Sequence, residues 1–283
     1  MDLSTHTSLA GLAEAIASAK AAASRTSCDL YVTGGLARDL WLEFGHSFDT
    51  GRRTEDIDFG FECENWKTFD ALARELEAVQ FGRDRRIQHR FRHPNGTEID
   101  LIPFGGVERP DRTIAWPPEG NPVMNLVGFA EVAGSTVDFL LPGEVRVSVV
   151  TLPALAVLKI LAWGDRRGGP AGDKDAHDLL VIGQFYLKAR IPALSTEDEA
   201  NLLLRNKFEE NLASAELLGM DMAMFGSRAV REGVDRILGD EANPEGPLTL
   251  ASIVSRYNPI TGIGVIQALR TGFTEREASE GAT

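Results

Sequence analysis

Two acids separated by one residue, Asp56 and Asp58, lie in the stretch TEDIDFGFE, and a second acidic pair, Glu98 and Asp100, lies in TEIDLIPFGG. Both stretches alternate polar and apolar residues and read as strands. Residues two apart on a strand point the same way, so Thr54, Asp56 and Asp58 share one face. Ile57, Phe59 and Phe61 share the other, the core face. Adjacent carboxylates repel, and keeping both ionised needs a cation. Mg²⁺ (or Mn²⁺) suits such a site, because it takes oxygen ligands from one or two carboxylates and from substrate phosphates. If the two strands pair, Asp100 joins Asp56 and Asp58. Three carboxylates around two metals suit in-line phosphoryl or nucleotidyl transfer.

A glycine pair supplies the complementary half. Gly34 and Gly35 follow the apolar run CDLYVT and precede LARDLWLEFG, which reads as a helix with Gly45 near its end. Glycines between strand and helix let backbone N–H groups approach a ligand, and a helix start favours phosphate. Arg38 lies one turn on, placed either to touch phosphate or to bond a carboxylate. Alone, a Gly-Gly dipeptide is usually a turn and an Asp-x-Asp a solvent-facing alternation. The order strand, Gly-Gly, helix, Asp-x-Asp strand, third-acid strand is far more specific.

The elements that must position these groups divide the chain in two. Residues 1–150 read as an α/β (α+β) catalytic core with a mixed sheet. Leu9, Leu12, Ala13, Ile16 and Ala19 are spaced for one helix face. Residues 66–82 repeat the pattern through Phe69, Leu72, Leu76 and Val79. A strand is expected around 90–93, and STVDFLL and VRVSVV add strand-like pieces to the Pro- and Gly-rich span 105–150. Residues 151–283 read as a mainly helical domain completing the active site, opened by Thr151 and Pro153. The final TEREASEGAT reads as frayed.

Composition narrows the partners. The 283 residues carry a net charge of −13, which disfavours non-specific coating of nucleic acid. The strip RDRRIQHRFRH departs from this, with Arg83, Arg85, Arg86, Arg90 and Arg92 against one aspartate. It reads as a solvated surface hairpin, or as a seat for an RNA end. Cys28 and Cys63 have no metal-ligand neighbours and fit a reducing cytoplasm as small buried residues. No apolar run approaches the ~20 residues of a membrane span, and the N-terminus lacks a signal-peptide pattern. Lys159 is the only charge between residues 146 and 165, on a helix apolar nearly all round. A buried lysine needs a partner, such as a nucleotide phosphate or an active-site carboxylate; the plainer reading is a snorkelling side chain. Asp175 and Asp178 share a helix face. Asp175 is placed to complete the acidic site or orient Lys159, Asp178 to hold Lys174 or a backbone end, and His177 to point elsewhere.

The motifs GGLARD, TEDIDF and EIDLIPF resemble the nucleotidyltransferase superfamily with a polymerase-β-like core. GGLARD is similar to the motif of CCA-adding enzymes and poly(A) polymerases. The stretch LPALAVLKILAWGDRRGGPAGDKDAHDLLVI resembles the AbiEii/AbiGii-type family instead, as does Arg52-Arg53-Thr54-Glu55-Asp56-Ile57-Asp58. That resemblance spans about residues 28–182. It implies a Mg-dependent enzyme moving a nucleoside monophosphate from an NTP to an acceptor such as a tRNA end, acting as a toxin with a cognate antitoxin. Asp56, Asp58 and Asp100 would hold metal, and Gly34, Gly35, Arg38, Thr54 and Lys159 the nucleotide, with Asp175 in support. The rival readings are a CCA-adding type, an antibiotic-type transferase with a small-molecule acceptor, and a non-catalytic nucleotide-binding module.

Overall fold

The computed structural model describes residues 1–118, 120–257 and 262–280. Two compact units divide the chain, Met1–Thr151 and Leu152–Thr283.

The first unit is built on a seven-stranded mixed sheet. Its strands are β1 (Tyr31–Thr33), β2 (Ile57–Glu62), β3 (Gly82–Arg83), β4 (Arg90–Arg92), β5 (Glu98–Phe104), β8 (Thr136–Leu141) and β9 (Val145–Val150), in the order β3-β4-β5-β2-β1-β9-β8. Between β5 and β8, β6 (Thr113–Ala115) and β7 (Val123–Asn125) form a separate two-stranded sheet. The centre of the large sheet is apolar because Val32, Ile57, Phe59, Phe61, Ile99 and Leu101 are all buried there. Helices pack on it. Helix α1 (Ala10–Ser24) buries Ile16 and a run of small residues, Ala13, Ala15 and Ala19 among them, and so lies close against β9. Helix α3 (Trp66–Ala78) is capped by Asn65, whose side chain accepts from the Lys67 and Thr68 amides at 3.0 and 3.2 Å. It buries Phe69, Leu72 and Leu76; Val79 is its half-buried C-cap.

Two local expectations are corrected here. The strand carrying the acids begins at Ile57, so Thr54 and Asp56 lie on the segment that leads into it. The cause is visible in the hydrogen bonds: the Thr54 amide donates to the Asp39 carboxylate at 2.8 Å instead of to a neighbouring strand. The glycine pair does not precede the next helix but opens it: α2 spans Gly34–Asp39 and passes into a π turn, Leu40–Phe44.

The second unit is helical among its described residues. It holds α5 (Leu152–Arg166), α6 (Pro170–Arg190), α7 (Thr196–Arg205), α8 (Glu210–Met222), α9 (Arg228–Ala242), α10 (Thr249–Tyr257) and α11 (Gly262–Glu280), α4 being the short Phe129–Val132 of the first unit. Helix α5 is buried on most sides, as its composition demands. The tail expected to fray is helical through Glu280, and residues 281–283 lie outside the described part. No described helix is long and apolar enough to cross a membrane.

Candidate active site

Strand register builds the site. Strand β2 runs parallel to β5 with Asp58 opposite Asp100, and antiparallel to β1 with Asp58 opposite Thr33. On the far side of β5, Arg90 of β4 stands opposite Asp100. Thr33, Asp58, Asp100 and Arg90 therefore form one row across four strands. Directly opposed side chains share a face and interact. Asp58 is half-buried and Asp100 buried. Asp56, half-buried, sits at the bend before β2.

The glycines are fitted to this row. Gly34 has φ +66°, and a Cβ there would fall 1.8 Å from Asp58 Oδ2. A Cβ on Gly35 would fall 2.3 Å from Thr54 Oγ1. Only side chains reduced to hydrogen let the Asp58 carboxylate and the Thr54 hydroxyl lie against this backbone. Thr54 Oγ1 is buried and has no hydrogen-bond partner among the described residues. A buried unsatisfied hydroxyl costs stability and marks a place where a ligand can bond.

Arg38 is tied in beside this row. Its side chain is completely buried, with Nε donating to Asp39 Oδ1 at 2.8 Å and Nη2 to the Arg52 carbonyl at 2.7 Å. Asp39 uses its other oxygen on the Thr54 amide. Burial raises the Asp39 pKa, while Arg38 and that amide pull it down. Of the two roles open to Arg38 in the sequence, the carboxylate-bonding one is seen. The Arg-Asp dipeptide clasps residues 52–54 and so fixes where Asp56 and Asp58 begin. Asp39 was missed by sequence reasoning; its position directly after Arg38 was the available signal.

Asp100 is also occupied. Arg90 Nε donates to its Oδ1 at 2.8 Å and Nη2 to its Oδ2 at 2.7 Å, while Nη1 reaches Glu98 Oε2 at 3.1 Å. These bonds raise the Arg90 pKa; burial opposes them, and the charges of Asp100, Glu98 and Asp56 reinforce them. His89 Nε2 stands 4.0 Å from Asp100 Oδ2, and its ring lies 5.1 Å from that of Trp116. Burial lowers the His89 pKa against the pull of Asp100, which favours the neutral ring. No periodicity singled out His89, because the Asp100 contact comes from strand pairing.

The remaining arginines lie beside Arg90. Arg83 is held at 5.8 and 5.6 Å from the Phe69 and Phe91 rings, while Arg85, Arg86 and Arg92 are exposed. In the helical unit, Lys159 Nζ lies 3.1 Å from Asp175 Oδ1 and 2.7 Å from Asp178 Oδ2. Arg166 meets the other Asp175 oxygen at 3.3 Å. So the lysine that Asp178 holds is Lys159 and not Lys174, and His177 Nδ1 lies 3.9 Å from Asp178 instead of pointing away.

Among the described residues no three Asp, Glu, His or Cys side chains converge as a metal cage. Asp56 and Asp58 offer hard oxygen donors, which fits a Mg²⁺ ion whose shell is completed by substrate phosphates. Asp100 would join them in competition with Arg90, which already occupies both of its oxygens.

A mixed sheet with two acids in register beside a Gly-Gly helix start is the frame of a nucleotidyltransferase. The sequence matches, over residues 17–245, the family described as "Nucleotidyl transferase AbiEii toxin, Type IV TA system". This covers most of the chain, so the protein belongs to the AbiEii nucleotidyltransferase family and is a transferase enzyme. The match continues beyond residue 182, where motif resemblance ended. Similar solved structures include an antigenic nucleotidyltransferase-like protein from Paracoccidioides brasiliensis (18% identity, 68% of this chain and 87% of that one, TM-score 0.38). Another is the antibiotic-resistance factor ANT(2'')-Ia (16% identity, 70% and 94%, TM-score 0.38). No curated protein matches the chain.

Proposed function

We propose that this enzyme transfers a nucleoside monophosphate from an NTP to the terminal hydroxyl of an RNA, a tRNA end being the foremost acceptor. The observation that carries the reading is the Asp58–Asp100 register beside Gly34 and Gly35. Gly34, Gly35 and the unpartnered Thr54 hydroxyl take the triphosphate. Asp56 and Asp58, with Asp100 once Arg90 leaves it, would hold Mg²⁺, which supplies positive charge to the phosphates and polarises the acceptor hydroxyl. Asp100 takes the hydroxyl proton as the acceptor oxygen bonds to the α-phosphorus. The bond from the α-phosphorus to the bridging oxygen breaks, and pyrophosphate leaves.

The family description extends the reading to a toxin with a cognate antitoxin. Two free, buried cysteines suit work in a reducing cytoplasm. The test is incubation with labelled NTPs, Mg²⁺ and total tRNA, with Asp58→Ala as control. Label on tRNA 3′ ends, absent with the variant, is expected. Absence of transfer to any acceptor and of NTP binding would sink the enzyme reading, and label on a small cationic molecule alone would move it to the antibiotic type. Growth arrest on expression, relieved by Asp58→Ala, is the toxin's signature.

A further inference from the structure

Beside the acid row, the β3–β4 hairpin lines a cavity of about 500 Å³. Its wall carries Arg83, Arg85, Arg86, Arg90 and Arg92 against the acids Asp84 and Glu98. The formal balance is five positive charges less two, or +3, on a chain whose net charge is −13. Both acids are engaged. Asp84 accepts from the Arg86 and Ile87 amides at 2.6 and 2.8 Å and so shapes the turn. Glu98 bonds Arg90 and Arg92. Arg85 and Arg86 are exposed and pair with no acid among the described residues. Apart from Gly82, the lining residues are all charged. A protein partner would need apolar or aromatic anchors at its centre, whereas a phosphodiester chain needs only closely spaced cations.

Arg90 belongs to this wall and to the acid row at once. It is the cross-strand partner of Asp100, which is the cross-strand partner of Asp58. Phosphate accepts the guanidinium fork as well as carboxylate does. Exchanging one for the other keeps Arg90 bonded while freeing Asp100.

We propose that the arginine-lined cavity seats the acceptor RNA's backbone phosphates, and that a phosphate there draws Arg90 off Asp100, releasing the third carboxylate to the acid row only when the acceptor is bound. The inference rests on the nucleotidyl-transfer reading of Asp58 and Asp100, and adds a coupling between acceptor binding and assembly of the site. Arg90 is on this view a positioning residue acting through Asp100.

Two measurements without turnover test it. The first is fluorescence anisotropy of a labelled single-stranded RNA oligonucleotide across a salt series. Arg85→Gln/Arg86→Gln, both exposed, should weaken binding and lower the slope of log K against log salt by about 1.4, at ~0.7 per lost phosphate contact. Equal binding by the variant overturns the seat. So does tighter binding of a poly-glutamate peptide than of the RNA, which would give the cavity to an acidic protein partner. The second is Mn²⁺ titration followed by electron paramagnetic resonance, with no NTP present. Saturating RNA oligonucleotide should tighten Mn²⁺ binding to the wild type about tenfold, the scale of a ligand's supporting bonds. Arg90→Gln should bind tightly without RNA and gain nothing from it. A wild-type Mn²⁺ affinity indifferent to RNA overturns the coupling, whatever Arg90→Gln does. Asp58→Ala separates the two readings: Mn²⁺ binding that survives it counts against the nucleotidyl-transfer site itself, not against the exchange at Arg90.

Discussion

Asp58 and Asp100 are direct neighbours in a parallel register, yet they meet different partners: Asp58 lies against the Gly34 backbone, while Asp100 is gripped by Arg90 through two bonds of 2.8 and 2.7 Å. A carboxylate that takes the acceptor proton contributes about 10²–10⁴-fold in rate. Asp100→Asn is therefore expected to slow single-turnover nucleotide transfer by that range. Arg90 keeps its bond to Glu98, so the unfolding midpoint should move little. A full-rate Asp100→Asn enzyme would remove Asp100 from the chemistry.

Gly34→Ala tests the fit of backbone to acid. The new Cβ would need the space of Asp58 Oδ2, 1.8 Å away, at a φ of +66°. The left-handed conformation alone costs about 1–2 kcal/mol for an L-residue, and moving the Asp58 carboxylate takes it out of line with Asp100. Activity should fall further than this loss of stability explains. Urea unfolding and transfer rates on the same preparation make the comparison; loss of stability with full activity would show that Asp58 tolerates displacement.

The alternation in TEDIDF and EIDLIPF made the two acid strands readable, since the core faces Ile57, Phe59 and Ile99, Leu101 announce themselves. Strand register followed only as a condition, because nothing local says which strands pair. The start of the Asp56–Asp58 strand was misplaced by three residues for a physical reason. Thr54 has the right character for a strand, but its amide is taken by Asp39, fifteen residues earlier. Lys159 read as a buried cation needing a partner, with Asp175 placed to orient it; that Asp178 meets it too depended on how α5 packs on α6. The Arg90–Asp100 pair was out of reach because Arg90 was read within its own basic strip, and nothing local says that β4 pairs with β5.

Arg38→Ala should be a stability variant. It leaves the Asp39 carboxylate buried without its cation and frees the Arg52 carbonyl. Breaking a buried pair from one side costs about 3–5 kcal/mol. Arg38→Lys should recover only part, since one ammonium cannot reproduce the fork that bonds Asp39 and Arg52 together. Chemical denaturation measures both. Undiminished stability in Arg38→Ala would contradict the clasp.

Cys63 is fully buried, and burial pushes its thiol pKa from 9.0 up to about 11. In the folded protein it should resist alkylation at neutral pH and react readily in denaturant. The sign of the pH effect follows from linkage. The unfolded thiol ionises first as pH rises past 9.0, so the unfolded state binds fewer protons and stability is lost on the way to about 11. Cys63→Ala should flatten that part of the pH–stability profile; an unchanged slope would assign it to other groups.

Lys159 gives the last test. Its ammonium lies between Asp175 and Asp178, both almost fully buried, at 3.1 and 2.7 Å. Among the described residues Arg166 reaches Asp175 alone, from a half-exposed position. Removing the lysine takes a cation away from two buried carboxylates, so Lys159→Ala should lower stability by about 3 kcal/mol or more. Asp175→Asn/Asp178→Asn in the same background removes the surplus negative charge and should return much of that loss, because the buried amides are neutral. Thermal unfolding of the single and triple variants decides it. Full stability in Lys159→Ala, with transfer activity lost, would show that the ammonium's main work is on the nucleotide and not on its own two carboxylates.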